Sequence, residues 1–271
     1  MKIAFCTCVQ IGLSCIESVI AEGGKFDLLL TLHDHKSKKK SGRIFLDDIA
    51  TCTQTPLYKL NHINDVDVAD VLRAYQIDWL FIIGWSQIAS PELIQVPKKG
   101  IIGAHPTLLP MGRGRAAVSW AIIKGLDKTG VTFFKMDEGV DTGPILDQLE
   151  IPLAPNETAT ELYKKVNAAH ESLIKKIWPK LKADEVVGII QDESQATYWE
   201  GRTQADGELN TAMRLIEVDR LVRATTRPYP GAFVMAQGRK CIIWSGKQGK
   251  GEGLVFEFAD GFYTATDYII F

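Results

Sequence analysis

The sequence has almost no net charge and lacks the patterns that mark metal, dinucleotide, membrane or secreted proteins. It sets 31 Lys and Arg against 33 Asp and Glu, a formal charge of −2. That leaves out the basic excess of a nucleic-acid binder, so no nucleic-acid partner is expected. Its five cysteines, Cys6, Cys8, Cys15, Cys52 and Cys241, are odd in number and show no zinc-like spacing. They read as reduced thiols, with Cys6 and Cys8 as strand-end packing, and no metal is expected. No Gly-x-Gly-x-x-Gly follows the first apolar run, which removes the dinucleotide fingerprint. The most apolar stretch, Trp79 to Trp85, is far too short to span a bilayer. Met1-Lys2-Ile3-Ala4-Phe5 begins a strand at once, where a secretory leader would not. A cytoplasmic protein with no membrane partner is the expectation. No internal repeat is visible. The one low-complexity segment, Lys36-Ser37-Lys38-Lys39-Lys40-Ser41-Gly42-Arg43, reads as a solvated, mobile loop, with a phosphate or RNA contact as the competing reading.

What is present is ordinary globular composition, 46% hydrophobic and 24% charged over 271 residues. That suffices for one large domain, or a medium one with a small one. Lys2 to Cys6 reads as a buried strand. Leu13 to Ala21 carries apolar residues at helical spacing and stops at Gly23-Gly24, and Phe26 to Leu32 reads as a second strand. This β-α-β opening predicts a parallel sheet with right-handed crossovers. Val66 to Tyr75 reads as a helix, Trp79 to Ile83 as a strand, Ala116 to Ile123 as a helix, and Val131 to Met136 and Ile145 to Ile151 as strands. Thr158 to Trp178 reads as one long helix, with Thr158 and Glu161 as a capping box and Pro179 as its stop. From about Glu193 polar, glycine-bearing stretches resemble linkers, and Val218 to Thr225 reads as a short helix. Short alternating strands follow, with turns at Gln237-Gly238 and Asp260-Gly261. The expected fold is α/β: a Rossmann-like, mostly parallel sheet in an N-terminal catalytic domain, residues 1–195, then a small β-rich C-terminal domain, residues 196–271.

Two loops stand out for chemistry. Ile101-Ile102-Gly103-Ala104-His105-Pro106-Thr107-Leu108-Leu109-Pro110-Met111-Gly112-Arg113-Gly114-Arg115 is a buried strand end that delivers a histidine into a proline-bracketed loop. Open α/β sheets place ligands at such strand ends. Asp137-Glu138-Gly139-Val140-Asp141-Thr142-Gly143-Pro144 is an acidic, glycine-rich loop after the apolar run Val131-Thr132-Phe133-Phe134. His105 and Asp141 can meet in space although distant in sequence. Asp137 is the weaker acid, with loop capping as its alternative. His33, His35, His62 and His170 read as solvated or packed.

The run His-Pro-Thr-Leu-Leu-Pro, then Arg-Gly-Arg, Gly-Val-Thr and Asp-Thr-Gly-Pro-Ile-Leu, resembles the catalytic core of formyltransferases that use N10-formyltetrahydrofolate. Arg223 to Phe233, Arg-Ala-Thr-Thr-Arg-Pro-Tyr-Pro-Gly-Ala-Phe, resembles the C-terminal domain of the sugar N-formyltransferases among them. Formyl transfer to an amine needs a neutral amine, a donor for the oxyanion and a proton for the leaving nitrogen. The resemblance assigns the proton steps to His105 and Asp141. It implies folate contacts from Trp85, Gln87, Ile88 and Ala89, from Arg115, and from the loop Asp137, Glu138, Gly139, Val140 and Asp141. It gives Arg113, Trp120 and Tyr229 to the acceptor. Core packing competes for Trp85, Ile88, Trp120 and Tyr229, and surface ion pairs for the two arginines.

One position departs from the family. Its asparagine, an oxyanion donor two residues before the histidine, is Gly103 here. Losing such a donor costs on the order of 10²–10³ in rate. Three outcomes are open: His105 alone stabilises the oxyanion; a backbone N–H or a water fills the gap, for which glycine leaves room; or turnover is small. Phe134 also stands where the family often has a polar histidine. The second domain argues against a glycinamide ribonucleotide acceptor, and the charge argues against tRNA. The expected acceptor is therefore the primary amine of a nucleotide-linked sugar, a UDP- or dTDP-4-amino-4,6-dideoxyhexose. Methionyl-tRNA formylation, or folate or nucleotide binding with little turnover, are the alternatives. A homodimer is carried over as an expectation.

Overall fold

The computed structural model describes residues 1–39, 42–236 and 238–271. Lys40 and Ser41 of the basic loop and Gln237 of the expected turn lie outside the described residues. The chain divides into two compact units that interleave along the sequence. The first comprises Met1–Arg113, Val131–Leu149 and Asn167–Ala196, and the second Gly114–Gly130, Glu150–Val166 and Thr197–Phe271.

The first unit is built on apolar runs too uniform to have a wet face. β1 (Ile3–Cys6), β2 (Leu28–Leu32) and β4 (Trp79–Ile82) are buried along their whole length. Parallel strands covered by helices on both sides require that. Between them come α1 (Gln10–Ala21), α2 (Asp47–Thr53), β3 (Leu57–Leu60) and α3 (Val66–Ala74). α4 (Pro91–Ile94), β5 (Gly100–His105), β6 (Arg113–Gly114), α5 (Ala117–Ile123), β7 (Lys128–Lys135), β8 (Ile145–Pro152) and α6 (Ala159–Ala183) follow. The strand order is β3-β2-β1-β4-β5-β7-β8. β1 to β5 are parallel, and β7 runs antiparallel to β5. One face packs Leu30, Leu80, Ile82 and Ile101 against Val68 and Leu72 of α3. The other packs aromatics, with Phe5 on Phe26 and Phe81, and Phe133 on His170 of α6.

Several elements differ from their expected bounds. α2 buries only Ala50 and β3 only Leu60, which leaves their periodicity faint. The segment Asp34–Lys39 is a 3₁₀ helix rather than an open loop. α6 runs through Pro179 to Ala183. The proline removes one backbone donor, yet Trp178 and Leu181 on either side are buried, and their packing carries the helix onward. Thr158 does cap the helix, with its N donating to Glu161 Oε2 at 3.0 Å and its Oγ1 accepting from Glu161 N at 3.3 Å.

The second unit packs α5 and α7 (Leu215–Thr225) on a four-stranded antiparallel sheet. After β9 (Tyr198–Trp199), its strands are β10 (Ala232–Ala236), β11 (Arg239–Gln248), β12 (Leu254–Phe258) and β13 (Gly261–Ile270), in the order β10-β11-β13-β12. Val218, Leu221 and Val222 of α7 meet Ala232, Ile243, Phe258 and Tyr263 there. Among the described residues no cysteine is in a disulfide, and Cys52 alone of the five is exposed. Among the described residues no helix is long and apolar enough to cross a membrane.

Candidate active site

His105 ends β5. Strand alternation puts Ile101, Gly103 and His105 on one face, and the register with β7 sets Phe134 opposite Gly103 and Thr132 opposite His105. The imidazole is 7% exposed. Its Nε2 lies 2.8 Å from the Gly112 carbonyl oxygen, and its Nδ1 lies 3.4 Å from Asp141 Oδ2. Both ring nitrogens thus face oxygen acceptors, whereas a neutral ring carries one N–H.

The acid reaches the ring by an indirect path. Because β7 is antiparallel to β5, it ends beside Ile102, at the far end of β5 from His105, and Met136 N donates to Ile101 O at 2.8 Å. The following loop therefore returns along the sheet face. Asp137 turns it: Oδ1 accepts from Gly139 N at 3.1 Å and from Thr142 Oγ1 at 2.6 Å. Asp137 is a loop cap through this oxygen. At Gly143 a Cβ would lie 1.8 Å from Lys135 O, so only glycine permits that approach. Asp141 itself adopts a left-handed conformation, φ +56°.

Gln191, which sequence reasoning missed, fixes the acid loop. Its Nε2 donates to Asp141 O and to Gly143 O, both at 2.8 Å. Its Oε1 accepts from Arg113 Nε at 3.1 Å and Nη2 at 2.8 Å. Arg113 then forks onto Glu193 at 2.9 and 2.6 Å. Those hydrogen bonds hold the Glu193 carboxyl below its usual range. Arg113 is 0% exposed, so in this conformation it has no surface to offer an acceptor. The expected substrate contact is corrected to a support for the Asp141 loop. The histidine loop is fixed similarly. Thr132 Oγ1 donates to Thr107 O at 2.7 Å and accepts from Leu109 N at 3.1 Å, and Gln148 Nε2 donates to Leu109 O at 2.7 Å. Isolated glutamines carry no local pattern that would have revealed either role.

At Gly103 two apolar side chains lie over the space beside the backbone. A Cβ would lie 2.6 Å from Met136 Cε and 3.1 Å from Phe134 Cζ, because the antiparallel register sends both side chains over the glycine. The loop after β4 carries the expected folate segment. Gln87 Oε1 accepts from Ile63 N at 2.8 Å, and Ile88 O accepts from Asn64 Nδ2 at 3.0 Å, which pins that loop to residues 61–64. Trp85 and Ala89 pack on the core, whereas Ile88 is 76% exposed. Glu138, Gly139 and Val140 are exposed. Two grooves of the first unit, one lined by Trp79, Lys135 and Asp184 and one by His33, Asp47 and Lys59, lie away from His105. In the second unit, Arg115 is exposed and Trp120 Nε1 donates to Glu200 O at 2.8 Å. Tyr229 meets Tyr163 hydroxyl to hydroxyl at 2.9 Å. Among the described residues no group of three or more His, Cys, Asp or Glu could hold a metal ion.

A mostly parallel sheet with a buried imidazole facing a carboxylate at the end of β5 defines an α/β protein with a candidate ligand site there. The family model described as formyl transferase matches residues 4–177, and that described as formyl transferase, C-terminal domain, matches residues 202–261. The chain belongs to the formyl transferase family and is a formyltransferase. Its fold is similar to that of an N-formyltransferase from Helicobacter canadensis solved with folinic acid and dTDP-3-aminofucose, at 18% identity over 99% of this chain and 100% of that one, TM-score 0.76. It is also similar to methionyl-tRNA formyltransferase from Clostridium thermocellum, at 19% identity over 100% and 99%, TM-score 0.69. HypX from Aquifex aeolicus is similar at 16% identity over 99% of this chain and 44% of that one, TM-score 0.72.

Proposed function

We propose that this chain transfers a formyl group from N10-formyltetrahydrofolate to the primary amine of a nucleotide-linked amino sugar, a UDP- or dTDP-linked 4-amino-4,6-dideoxyhexose. The observation that carries this reading is the buried His105 ring with its Nδ1 3.4 Å from Asp141 Oδ2. The Helicobacter structure, with folinic acid and an amino-sugar nucleotide bound, supports it. In this reading residues 1–195 are the catalytic domain and 196–271 a small accessory domain, in a cytoplasmic homodimer.

In this reading a flat heterocycle is held beside His105 by the loops that carry the exposed apolar residues. Ile88, Met111 and Val140 are apolar and exposed on the loops that follow β4, β5 and β7. The backbone of Trp85 to Ala89 and of Asp137 to Asp141 would hold the ring edge, and Arg115 would hold its anionic tail. When bound, the folate supplies a formyl carbon on a nitrogen that leaves. Asp141 orients the imidazole through Nδ1. Nε2, once released from Gly112 O, takes up the proton of the attacking amine and delivers it to the folate nitrogen as that nitrogen leaves. With no side chain at Gly103, His105 is in this reading the donor for developing negative charge. Trp120 and Tyr229 contact the acceptor.

The test is incubation with formyltetrahydrofolate and a panel of UDP- and dTDP-linked 3-amino and 4-amino sugars, following folate release. Release with at least one member supports the reading; none with any member sinks it. The Clostridium structure gives a second reading, methionyl-tRNA formylation, which requires the charged tRNA to be formylated in the same assay. The apolar filling at Gly103 favours a third, ligand binding with little turnover, seen as folate binding without release.

A further inference from the structure

Three cations and two indoles converge within the second unit. α5 presents Trp120 and, one turn on, Lys124, whose Nζ lies 5.3 Å from the Trp120 ring and 6.0 Å from that of Trp199. Arg202 Cζ lies 4.9 Å over Trp120. Arg115 N donates to Trp199 O at 3.0 Å, and its Nη1 lies 3.3 Å from where a Cβ would stand at Gly201. The cluster is held in place by backbone. Gly114, at φ +106°, runs so near β9 that a Cβ would lie 2.3 Å from Trp199 O. Trp120 Nε1 is anchored on Glu200 O at 2.8 Å.

Among the described residues none of Arg115, Lys124 and Arg202 has a carboxylate within ion-pair distance; the Arg202 Nη2 donates instead to the Asp206 carbonyl at 2.6 Å. A ring face attracts a cation without cancelling its charge. Two cations drawn to one indole repel each other until an anion joins them. A guanidinium fork and an ammonium side by side suit the several oxygens of a diphosphate better than a single carboxylate. We propose that this cluster is the subsite for the nucleoside diphosphate of the acceptor, with the phosphate oxygens on Arg202 and Lys124 and the flat base against Trp199, while Arg115 beside them stays with the folate tail. The inference rests on the reading of the acceptor as nucleotide-linked, and it adds Lys124, Trp199 and Arg202 to the residues that recognise it.

The test titrates the full chain with dTDP, UDP and inorganic pyrophosphate, reading tryptophan emission and, independently, calorimetric heat. Expected are a quench by both nucleotides and weaker binding of pyrophosphate. Arg202→Ala and Lys124→Ala should each raise the dTDP Kd about tenfold or more, with unchanged thermal unfolding, and Arg202→Lys should restore part of the affinity. His105→Ala should bind dTDP normally. Unchanged dTDP affinity in both alanine variants would overturn the proposal. So would absence of nucleotide binding at millimolar concentration, or displacement of dTDP by a single-stranded RNA that binds more tightly. Nucleotide binding at these residues without formyl transfer to any amino sugar would sink the proposed function and leave this subsite standing.

Discussion

His105 has both ring nitrogens engaged, one on the Gly112 carbonyl and one on Asp141. Proton transfer requires one of them to be freed, and Asp141 then keeps the ring aimed. His105→Ala should therefore lower kcat by about 10²–10⁴ with an unchanged circular-dichroism spectrum; Asp141→Asn should cost less, because the ring remains. Near-normal turnover in His105→Ala would end the acid–base account. Gly103→Asn, which restores the family residue, should destabilise the fold by about 1–3 kcal/mol through overpacking. Its Cβ would stand 2.6 Å from Met136 Cε. Met136→Ala in the same chain should recover most of that loss in urea unfolding. His105, Asp141 and the odd glycine were all readable, since each sits in a short motif. The filling of the glycine was not, because Phe134 and Met136 arrive through a strand register that no local pattern encodes.

The supports behind the site belong to elements rather than motifs. Arg113 is buried, and Gln191 links it to the Asp141 loop. Gln191→Leu should cost about 1–3 kcal/mol, since it leaves buried partners unpaired. It should also lower kcat more than it changes KM for the amine, because the carboxylate loosens while the acceptor contacts stay. An unchanged kcat would confine Gln191 to stability. Arg113 was read as a substrate contact from its glycine-rich surroundings; burial, which depends on residues about 80 positions away, decided otherwise. Along α6 the apolar spacing was legible, but its end was not. Pro179 normally marks a stop, and packing of Leu181 overrode it. Pro179→Ala should raise stability by about 1–3 kcal/mol, as the regained backbone bond exceeds the cost of the entropy that the unfolded chain gains. A lower melting temperature would contradict this.

Across the whole molecule, three exposed carboxylates are held below their usual pKa by local hydrogen bonds. Glu193 is held below its usual pKa first by its hydrogen bond from Arg113, Glu161 by that from Thr158, and Asp206 by the Thr203 backbone. For a depressed pKa the stabilisation is present above the unfolded value and lost as pH falls through the folded one. Urea midpoints should thus decline below about pH 4.5, and Glu193→Gln should flatten part of that decline; a slope unchanged in the variant would remove Glu193 from the set. The α/β class and the β-rich tail were visible in alternating patterns. The interleaving of the two units was not, because it depends on which segments pack together at long range. The segment between Lys135 and Pro144 is tied at its base by the Lys135 N to Pro144 O bond of 2.9 Å. It works as a measuring rod whose length decides where the carboxylate arrives. Adding one residue there would leave the strands paired and carry the acid past the imidazole, so in this stretch catalytic alignment can be retuned by length while the scaffold stays as it is.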